Sequence, residues 1–204
     1  MELLRKSTTI IFLIIAIGVN AQNNSLATAF GKSYDFEANK KYSEAINTLN
    51  AVYDANSYEI NLRLGWLNYA AGKYKESINF YKIAITLMPV ATEPLWSIIS
   101  PLAALEQWTE LESTYFAILK LDPKNSLVHY RLGSIYYYRK DYINAKIYFD
   151  ISLNLYPFDY NNLIMSAWNN YFLENKKEAS ILFNKVLLYK PNDKSALEGL
   201  SLIK

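Results

Sequence analysis

Cysteine is absent from the 204 residues of this chain, and histidine occurs once, as His129. The lack of cysteine excludes disulfide bonds, thiolate metal ligands and a thiol nucleophile. A single histidine with no carboxylates clustered around it does not make a metal site or a catalytic acid–base pair. We interpret His129 as a packing residue, because it falls on an apolar helical face. The chain is therefore predicted not to be an enzyme, with no catalytic residue, no cofactor and no metal.

Charge of one sign is also scarce, because 21 basic residues stand against 19 acidic ones and the formal net charge is +2. Nucleic acids and anionic membranes attract strongly basic proteins, so neither is indicated as a partner. The six glycines never gather into a phosphate-binding loop. Apolar residues, in contrast, make up 51% of the chain. That content suffices for a sizeable core.

The N-terminus has the pattern of an export signal. Arg5 and Lys6 precede an apolar run over Ile10–Val19, and small residues follow it. This order is typical of a secretory signal peptide, and the run is shorter than the roughly 20 residues that span a bilayer. An uncleaved anchor is the alternative interpretation. We predict a signal peptide over residues 1–21, export to the bacterial periplasm or cell exterior, and no stable membrane insertion after cleavage.

Proline is rare but regularly placed. Pro89, Pro123, Pro157 and Pro191 follow one another at a constant interval of about 34 residues. Because proline cannot continue a helix, this spacing marks the ends of recurring helical units. Self-similarity at such a period is typical of arrays of helical hairpins.

The unit that ends at Pro157 carries the fullest version of a known pattern. Its motif residues are Leu132, Gly133, Tyr136, Tyr142, Ala145 and Phe149. This pattern resembles the tetratricopeptide repeat, in which Trp, Leu-Gly, Tyr, Ala, Phe and Pro stand at set offsets. The neighbouring units repeat the pattern less completely, and the resemblance covers nearly all of the chain after the predicted signal peptide.

The resemblance implies an all-α fold, a right-handed α-solenoid of stacked antiparallel helix hairpins. It also implies that one face of each first helix lines a concave groove. We predict a single domain over residues 22–204, made of about five repeats and a terminal helix. The approximate repeats are 26–57, 58–91, 92–125, 126–159 and 160–193, and the terminal helix is 194–204.

Local signals agree with hairpins. Turn residues interrupt the apolar stretches at 39–41, 71–73, 139–141 and 174–176. Polar residues that follow the regular prolines are expected to cap the next helices. These predicted caps are Asn125, Asp159 and Asp193.

Two predictions concern how the helices pack. Gly133 is expected to lie opposite Ala145 of its hairpin partner, where small residues allow two backbones to come close. In the third repeat, Pro101 falls inside the first helix, where it removes a backbone hydrogen bond at a cost of about 3 kcal/mol. We predict a kink or a break in that helix and a splayed hairpin.

Aromatic residues are in excess, with 18 Tyr, 9 Phe and 4 Trp. The first helices carry a second stripe of large side chains beside the one that packs within the hairpin. By the resemblance, this stripe faces the groove, and Tyr and Trp are common in binding hot spots. Arg63 and Arg131 lie next to the stripe and are candidates for pairing with a partner carboxylate. The predicted partner-binding residues are Leu62, Arg63, Trp66, Tyr69, Trp96, Tyr130, Arg131, Tyr137, Ile164, Trp168 and Tyr171.

These features predict a non-enzymatic protein-binding scaffold or adaptor of the bacterial cell envelope, with a peptide or protein segment in an aromatic-lined groove. Three alternatives stay open. The aromatic side chains pack between neighbouring first helices, or they stack on the sugar rings of a glycan. In the third alternative the chain is a structural subunit that self-associates as a homo-oligomer through its C-terminal end. The apolar residues of that end are Leu197, Leu200, Leu202 and Ile203.

Overall fold

The computed structural model describes residues 25–203, which form eleven helices and no strand. The all-α prediction is thereby confirmed. The predicted signal peptide lies outside the described residues and stays a prediction, as do the repeat boundaries. The helices are α1 (25–38), α2 (Tyr42–Asn50), α3 (Tyr58–Ala70), α4 (Tyr74–Leu87), α5 (Glu93–Ala104), α6 (Trp108–Leu121), α7 (Ser126–Tyr138), α8 (Tyr142–Leu155), α9 (Tyr160–Phe172), α10 (Lys176–Tyr189) and α11 (Lys194–Ile203).

The helices pack as adjacent hairpins within two compact units, which divide between Gln107 and Trp108. Unit 1 contains α1 to α5, and unit 2 contains α6 to α11. In unit 1, each helix from α2 to α5 packs on the next, and α3 also contacts α5. In unit 2, each helix from α6 to α11 packs on the next, and α9 also contacts α7 and α11. Alternate helices therefore stack on one another inside each unit.

One kind of turn ends α1, α3, α5, α7 and α9. In each, a residue with positive φ is followed by a residue whose N–H donates to a carbonyl five positions earlier, as from Lys73 to Asn68 at 2.8 Å. This bond satisfies a free carbonyl of the helix end, as in a Schellman motif. The positive-φ residues are Lys40, Gly72, Glu106, Lys140 and Glu174.

Three of the four predicted turns are confirmed, and the fourth is displaced by one position, because Lys176 already begins α10. At four of the five turns a lysine or glutamate takes the left-handed backbone, at a cost of roughly 1–2 kcal/mol. Glycine alone would therefore have been a poor guide to these turns.

The predicted helix caps are confirmed. The side-chain oxygens of Asn125, Asp159 and Asp193 accept hydrogen bonds from the backbone N–H three positions later, at 3.1, 2.9 and 3.0 Å. Each bond satisfies one of the amides that a helix start leaves free. Ser57 caps α3 in the same way at 3.3 Å and was not predicted. Thr92, at the start of α5, makes no such side-chain bond.

Glycines at one helix position make room for aromatic rings. A Cβ added to Gly65 would lie 2.6 Å from the ring of Tyr81, and one added to Gly133 would lie 2.6 Å from the ring of Phe149. Both rings are buried. The predicted neighbour of Gly133, Ala145, is buried on α8, but the nearest atoms are those of the Phe149 ring. The small residue thus serves the packing of a ring, which was not predicted.

Helix α5 is unbroken, with Pro101 inside it. The predicted break is therefore wrong, while the predicted kink stays a prediction. Pro101 is buried, as are Ile98 and Leu102 beside it. Burial of these apolar side chains offsets the backbone hydrogen bond that the proline cannot donate. The next turn continues with a bond from Leu105 N–H to the Pro101 carbonyl at 3.2 Å.

Candidate functional site

The predicted partner-binding residues fall in both units. Those of unit 1 lie on α3 and α5, and those of unit 2 lie on α7 and α9. In unit 1, Leu62, Arg63 and Trp66 line a cleft. In unit 2, the members on α9 instead pack against a buried core cluster. The two sets are therefore described separately.

The unit 1 cleft has a volume of about 570 Å³ and is bordered by side chains of α1, α3, α4 and α5. Helical spacing brings several of them to one face, as with Glu59, Arg63 and Trp66 on α3. Five of the lining residues are aromatic, namely Phe30, Tyr34, Tyr58, Trp66 and Tyr81.

Arg63 is a buried charge, with only 8% of its surface exposed. Its Nη2 lies 2.6 Å from Oε2 of Glu37 as an ion pair, although the angle is not that of a hydrogen bond. Its Nε donates to Oγ of Ser33 at 3.2 Å, and its guanidinium carbon lies 3.8 Å from the centre of the Tyr34 ring. The charge is balanced inside unit 1, as a buried cation requires. This arrangement counts against the expected pairing of Arg63 with a partner carboxylate.

Trp66 is 43% exposed, and its indole N–H donates to Oε1 of Glu37. The same carboxylate pairs with Arg63, so Glu37 orients two residues of the cleft. The ring of Trp66 also lies 5.9 Å from that of Tyr69, which lies 5.8 Å from Tyr74. A side chain that is already oriented loses little conformational entropy when a ligand binds.

Tyr58 and Glu93 join α3 to α5 at the cleft, because the hydroxyl of Tyr58 donates to Oε2 of Glu93 at 3.2 Å. Burial, and then the charge of Glu93, raises the pKa of Tyr58. Burial raises the pKa of Tyr81 to about 12. Both hydroxyls therefore stay protonated near neutral pH, and that of Tyr58 is the donor to Glu93. The other predicted residues of α3 and α5, Tyr69 and Trp96, are half-buried outside the cleft lining.

In unit 2, the predicted residues of α9 are packing residues. Ile164, Trp168 and Tyr171 lie against a buried cluster to which α11 also contributes. The indole N–H of Trp168 donates to Oγ of Ser195 on α11 at 2.8 Å, and its ring meets Phe183 edge-on at 5.2 Å. This finding favours, for Trp168 and Tyr171, the alternative in which aromatic side chains pack between neighbouring first helices.

The predicted residues of α7 are partly accessible. Tyr130 is half-buried, with its ring 6.1 Å from that of Phe149. Arg131 is exposed, and its guanidinium carbon lies 5.8 Å from the centre of the Tyr130 ring. Tyr137 is half-buried against Tyr142 at 5.6 Å, and burial raises its pKa to about 12.

His129 is buried on α7, where its Nε2 lies 2.9 Å from the carbonyl oxygen of Pro123. Its ring stacks on that of Tyr148 at 6.1 Å, which agrees with its interpretation as a packing residue. Within residues 25–203, no three His, Asp or Glu side chains come together as a metal site. Over the same range, no helix has both the length and the apolar character needed to cross a bilayer.

Comparison with known proteins gives matches in structure. No family model matches the chain, and no curated protein matches its sequence. A tetratricopeptide repeat protein from Parabacteroides merdae ATCC 43184 superposes with a TM-score of 0.71 at 22% identity, over 88% of this chain and 72% of that chain. The chain has the tetratricopeptide-repeat fold.

Two further structures with this fold are similar. YrrB, described as a tetratricopeptide-repeat protein with an unusual peptide-binding site, has a TM-score of 0.69 at 14% identity, over 92% of this chain and 97% of its own. The protein MamA has a TM-score of 0.69 at 16% identity, over 81% of this chain and 91% of its own. At such identities the likeness concerns the fold.

The part of the cleft that α1 supplies, Phe30 and Tyr34, was not predicted from the sequence, and neither was Glu37, which contacts Arg63 and Trp66. The reason is that the first tetratricopeptide-like hairpin has neither the Leu-Gly pair nor the closing proline. A signal was nevertheless present. When the turn at 39–41 is aligned with the turn at 71–73, Tyr34 falls on the position of Trp66.

The apolar C-terminal residues of the tetratricopeptide-repeat array divide into two pairs. Leu200 and Ile203 pack against the core cluster of unit 2. Leu197 and Leu202 are 48% and 49% exposed. Half of the predicted self-association surface is thus used inside the unit, and self-association stays a prediction.

Proposed function

We propose that this chain is a non-enzymatic protein-binding scaffold that holds a peptide or protein segment in the unit 1 cleft. The observation that carries the proposal is Trp66, which is 43% exposed beside the cleft while Glu37 holds its indole N–H. An exposed aromatic side chain in a fixed orientation offers a large contact area at a small entropic cost.

The fold supports this proposal by its geometry. Stacked hairpins present the side chains of successive first helices along one surface, and the unit 1 cleft receives residues from α1, α3 and α5 in this way. Extended or helical segments are the ligands that such surfaces suit. YrrB, which shares the fold, is described as having a peptide-binding site.

The place of action belongs to the proposal as well. We propose that the chain works in the bacterial cell envelope, in the periplasm or outside the cell, because Arg5, Lys6 and the apolar run Ile10–Val19 have the order of a signal peptide. Fractionation of cells that express the chain with a C-terminal tag tests this. A shortened chain in the periplasm or medium supports export, whereas a full-length chain in the cytoplasm would contradict it.

Selection from a random displayed-peptide library tests the cleft. Peptides selected on the purified chain are measured against wild type, Trp66→Ala and the control Trp108→Ala, whose tryptophan is 50% exposed in unit 2. We expect Trp66→Ala to weaken binding about tenfold or more, as for a hot-spot residue, and the control to change it less than about twofold.

Two outcomes would overturn the proposal. Selected peptides that bind both variants as tightly as wild type would place the binding surface outside the unit 1 cleft. A glycan array that gives Trp66-dependent binding, together with a library that yields no peptide, would favour the glycan alternative.

A further inference from the structure

We infer that the unit 1 cleft selects a segment with a basic side chain, lysine or arginine, which binds beside Glu93 and Trp66. The inference rests on the proposed function and adds to it the charge of the ligand.

The charges of the cleft do not cancel. Its ionisable residues with full charge at neutral pH are Glu59, Arg63 and Glu93. Arg63 is 8% exposed and is neutralised by Glu37 at 2.6 Å. Glu59 and Glu93 are exposed. The positive charge of Arg63 is used by Glu37 and does not offset Glu59 and Glu93. A ligand in the cleft therefore meets two carboxylates with a net negative charge.

Both carboxylates keep room for a further donor. Glu59 accepts one hydrogen bond, from Oγ of Ser57 at 3.0 Å, and Glu93 accepts one from the hydroxyl of Tyr58 at 3.2 Å. An ionised carboxylate offers about four acceptor positions. A lysine ammonium or an arginine guanidinium can bind without displacing either contact.

Unit 2 contains a related arrangement that is already occupied. There the hydroxyl of Tyr160 donates to Oδ2 of Asp193 at 2.7 Å, as Tyr58 donates to Glu93 in unit 1. Nζ of Lys190 lies 3.3 Å from the same Asp193 oxygen and 5.7 Å from the centre of the Tyr160 ring. The tyrosine of α9 and the carboxylate that caps α11 thus hold a lysine, although Asp193 lies two positions before the residue that corresponds to Glu93.

The corresponding lysine is missing in unit 1. Tyr58 and Tyr160 are separated by three of the intervals that separate successive regular prolines, and the same shift carries Lys190 to Met88. Met88 lines the unit 1 cleft and is 43% exposed. The place of the Lys190 ammonium is therefore taken by an uncharged side chain, and a ligand can supply the cation that the chain supplies in unit 2.

The aromatic walls suit the same ligand. Cations bind favourably over the faces of Trp and Tyr, and the stems of Lys and Arg pack on apolar surface. Arg63 already makes such a contact with Tyr34, at 3.8 Å. The exposed ring of Trp66, with Leu62 beside it in the lining, offers a second surface of this kind. An acidic ligand would be repelled by Glu59 and Glu93.

Three synthetic peptide pools test the inference. They share the same Leu, Tyr and Ala positions and carry Lys, Gln or Glu at all others, and their binding to the purified chain is measured by fluorescence anisotropy. We expect the Lys pool to bind about tenfold more tightly than the Glu pool, with the Gln pool between them. The difference should shrink as salt is added, since exposed charges are screened.

Matched variants locate the effect. Glu59→Gln with Glu93→Gln keeps both hydrogen-bond acceptors and should weaken binding of the Lys pool about fivefold or more. The control, Glu44→Gln with Glu76→Gln, removes the same charge from exposed positions of α2 and α4 and should change binding less than about twofold.

A second variant introduces into unit 1 the lysine that unit 2 has at the corresponding position. Met88→Lys places a lysine at the position of Lys190 and should weaken binding of the Lys pool about fivefold, because the internal ammonium competes with the ligand. The control, Val90→Lys, adds the same charge at a residue that is 76% exposed and outside the cleft lining, and should leave binding within about twofold.

The outcomes separate the two proposals. Equal binding of the three pools through Trp66, or tighter binding of the Glu pool, would overturn the inference and leave the proposed function standing. The inference would also be overturned if the cleft variant and the control variant weakened binding of the Lys pool equally. The attraction would then come from the overall charge of the chain. No binding of any pool would overturn both.

Discussion

Trp66 of unit 1 and Trp168 of unit 2 hold the same place in their hairpins, three proline intervals apart, but have different surroundings. Trp66 is 43% exposed and donates its indole N–H to Glu37 on the preceding first helix. Trp168 is half-buried and donates to Ser195 on the following one, α11. One stripe of the repeat therefore forms a cleft wall in one unit and packing in the other.

The residue at the corresponding position of the next first helix, Glu93 in unit 1 and Ser195 in unit 2, decides whether the tryptophan lines a cleft or packs in the unit. The position of Ser195 corresponds to that of Glu93 in unit 1, where the residue is engaged with Tyr58. A short hydroxyl side chain reaches the indole of Trp168, and Leu200 of the same helix packs on the core cluster. A repeat motif defines where a side chain stands, and its neighbours decide whether it meets a ligand.

The largest expected loss of stability comes from removing the aromatic ring of Phe183, which belongs to the core cluster of unit 2. Phe183 is fully buried, meets Trp168 at 5.2 Å and lies against Gly199 of α11. Phe183→Ala leaves a cavity there and should lower the free energy of unfolding by about 3–5 kcal/mol, measured in urea. Phe116→Ala, at a residue that is 41% exposed, should cost about 1 kcal/mol or less. Equal losses for the two variants would contradict the packing described for α11.

The next largest loss of stability is expected from replacing the two tryptophans, Trp168 and Trp66. Trp168→Ala removes a packed ring and a hydrogen bond and should cost about 2–3 kcal/mol of unfolding free energy. Trp66→Ala removes an exposed ring and should cost about 1 kcal/mol. Urea unfolding monitored by circular dichroism measures both. A greater loss for Trp66→Ala would reverse the comparison and make Trp66 a structural residue.

The ion pair of unit 1 is expected to matter more than a surface pair of unit 2. Glu37→Gln leaves the charge of Arg63 buried without a counter-charge and should cost about 2 kcal/mol. Arg139→Gln breaks the pair with Glu112, in which Arg139 is 44% exposed, and should cost less than about 1 kcal/mol. The double variant of Glu37→Gln and Arg63→Met should recover part of the loss. No recovery would mean that Glu37 acts mainly through Trp66.

Much of the fold could be predicted from the sequence, because the signals are local. The evenly spaced prolines marked the helical units, and Asn125, Asp159 and Asp193 marked three helix starts. The unbroken α5 could not be predicted in this way, since the burial of Pro101 with its neighbours depends on other helices.

The candidate site was predictable only in part. The stripe positions were found, but the residues that orient the two tryptophans, Glu37 for Trp66 and Ser195 for Trp168, lie on other helices. Arg63 shows the same limit. Its position beside the stripe suggested a binding residue, and its pairing with Glu37 was invisible without the packing of α1 on α3.

The smallest expected change in stability concerns Asp193, which caps α11 and accepts a hydrogen bond from the hydroxyl of Tyr160 at 2.7 Å. This hydrogen bond lowers the pKa of Asp193 below its usual value of 3.8. A carboxyl whose pKa is lower in the folded state stabilises the fold above its unfolded pKa, and the contribution is lost as the pH falls through the folded value.

Asp193→Asn keeps an acceptor for the cap but cannot ionise. The free energy of unfolding of the wild type should therefore exceed that of the variant by about 1 kcal/mol at neutral pH. In urea unfolding, the difference should shrink as the pH is lowered from neutral to below 3.8, because the contribution of the ionised carboxylate is lost over this range. A difference that stays constant over this range would mean that the charge of Asp193 does not contribute, and that α11 is held by its cap and by its apolar contacts alone.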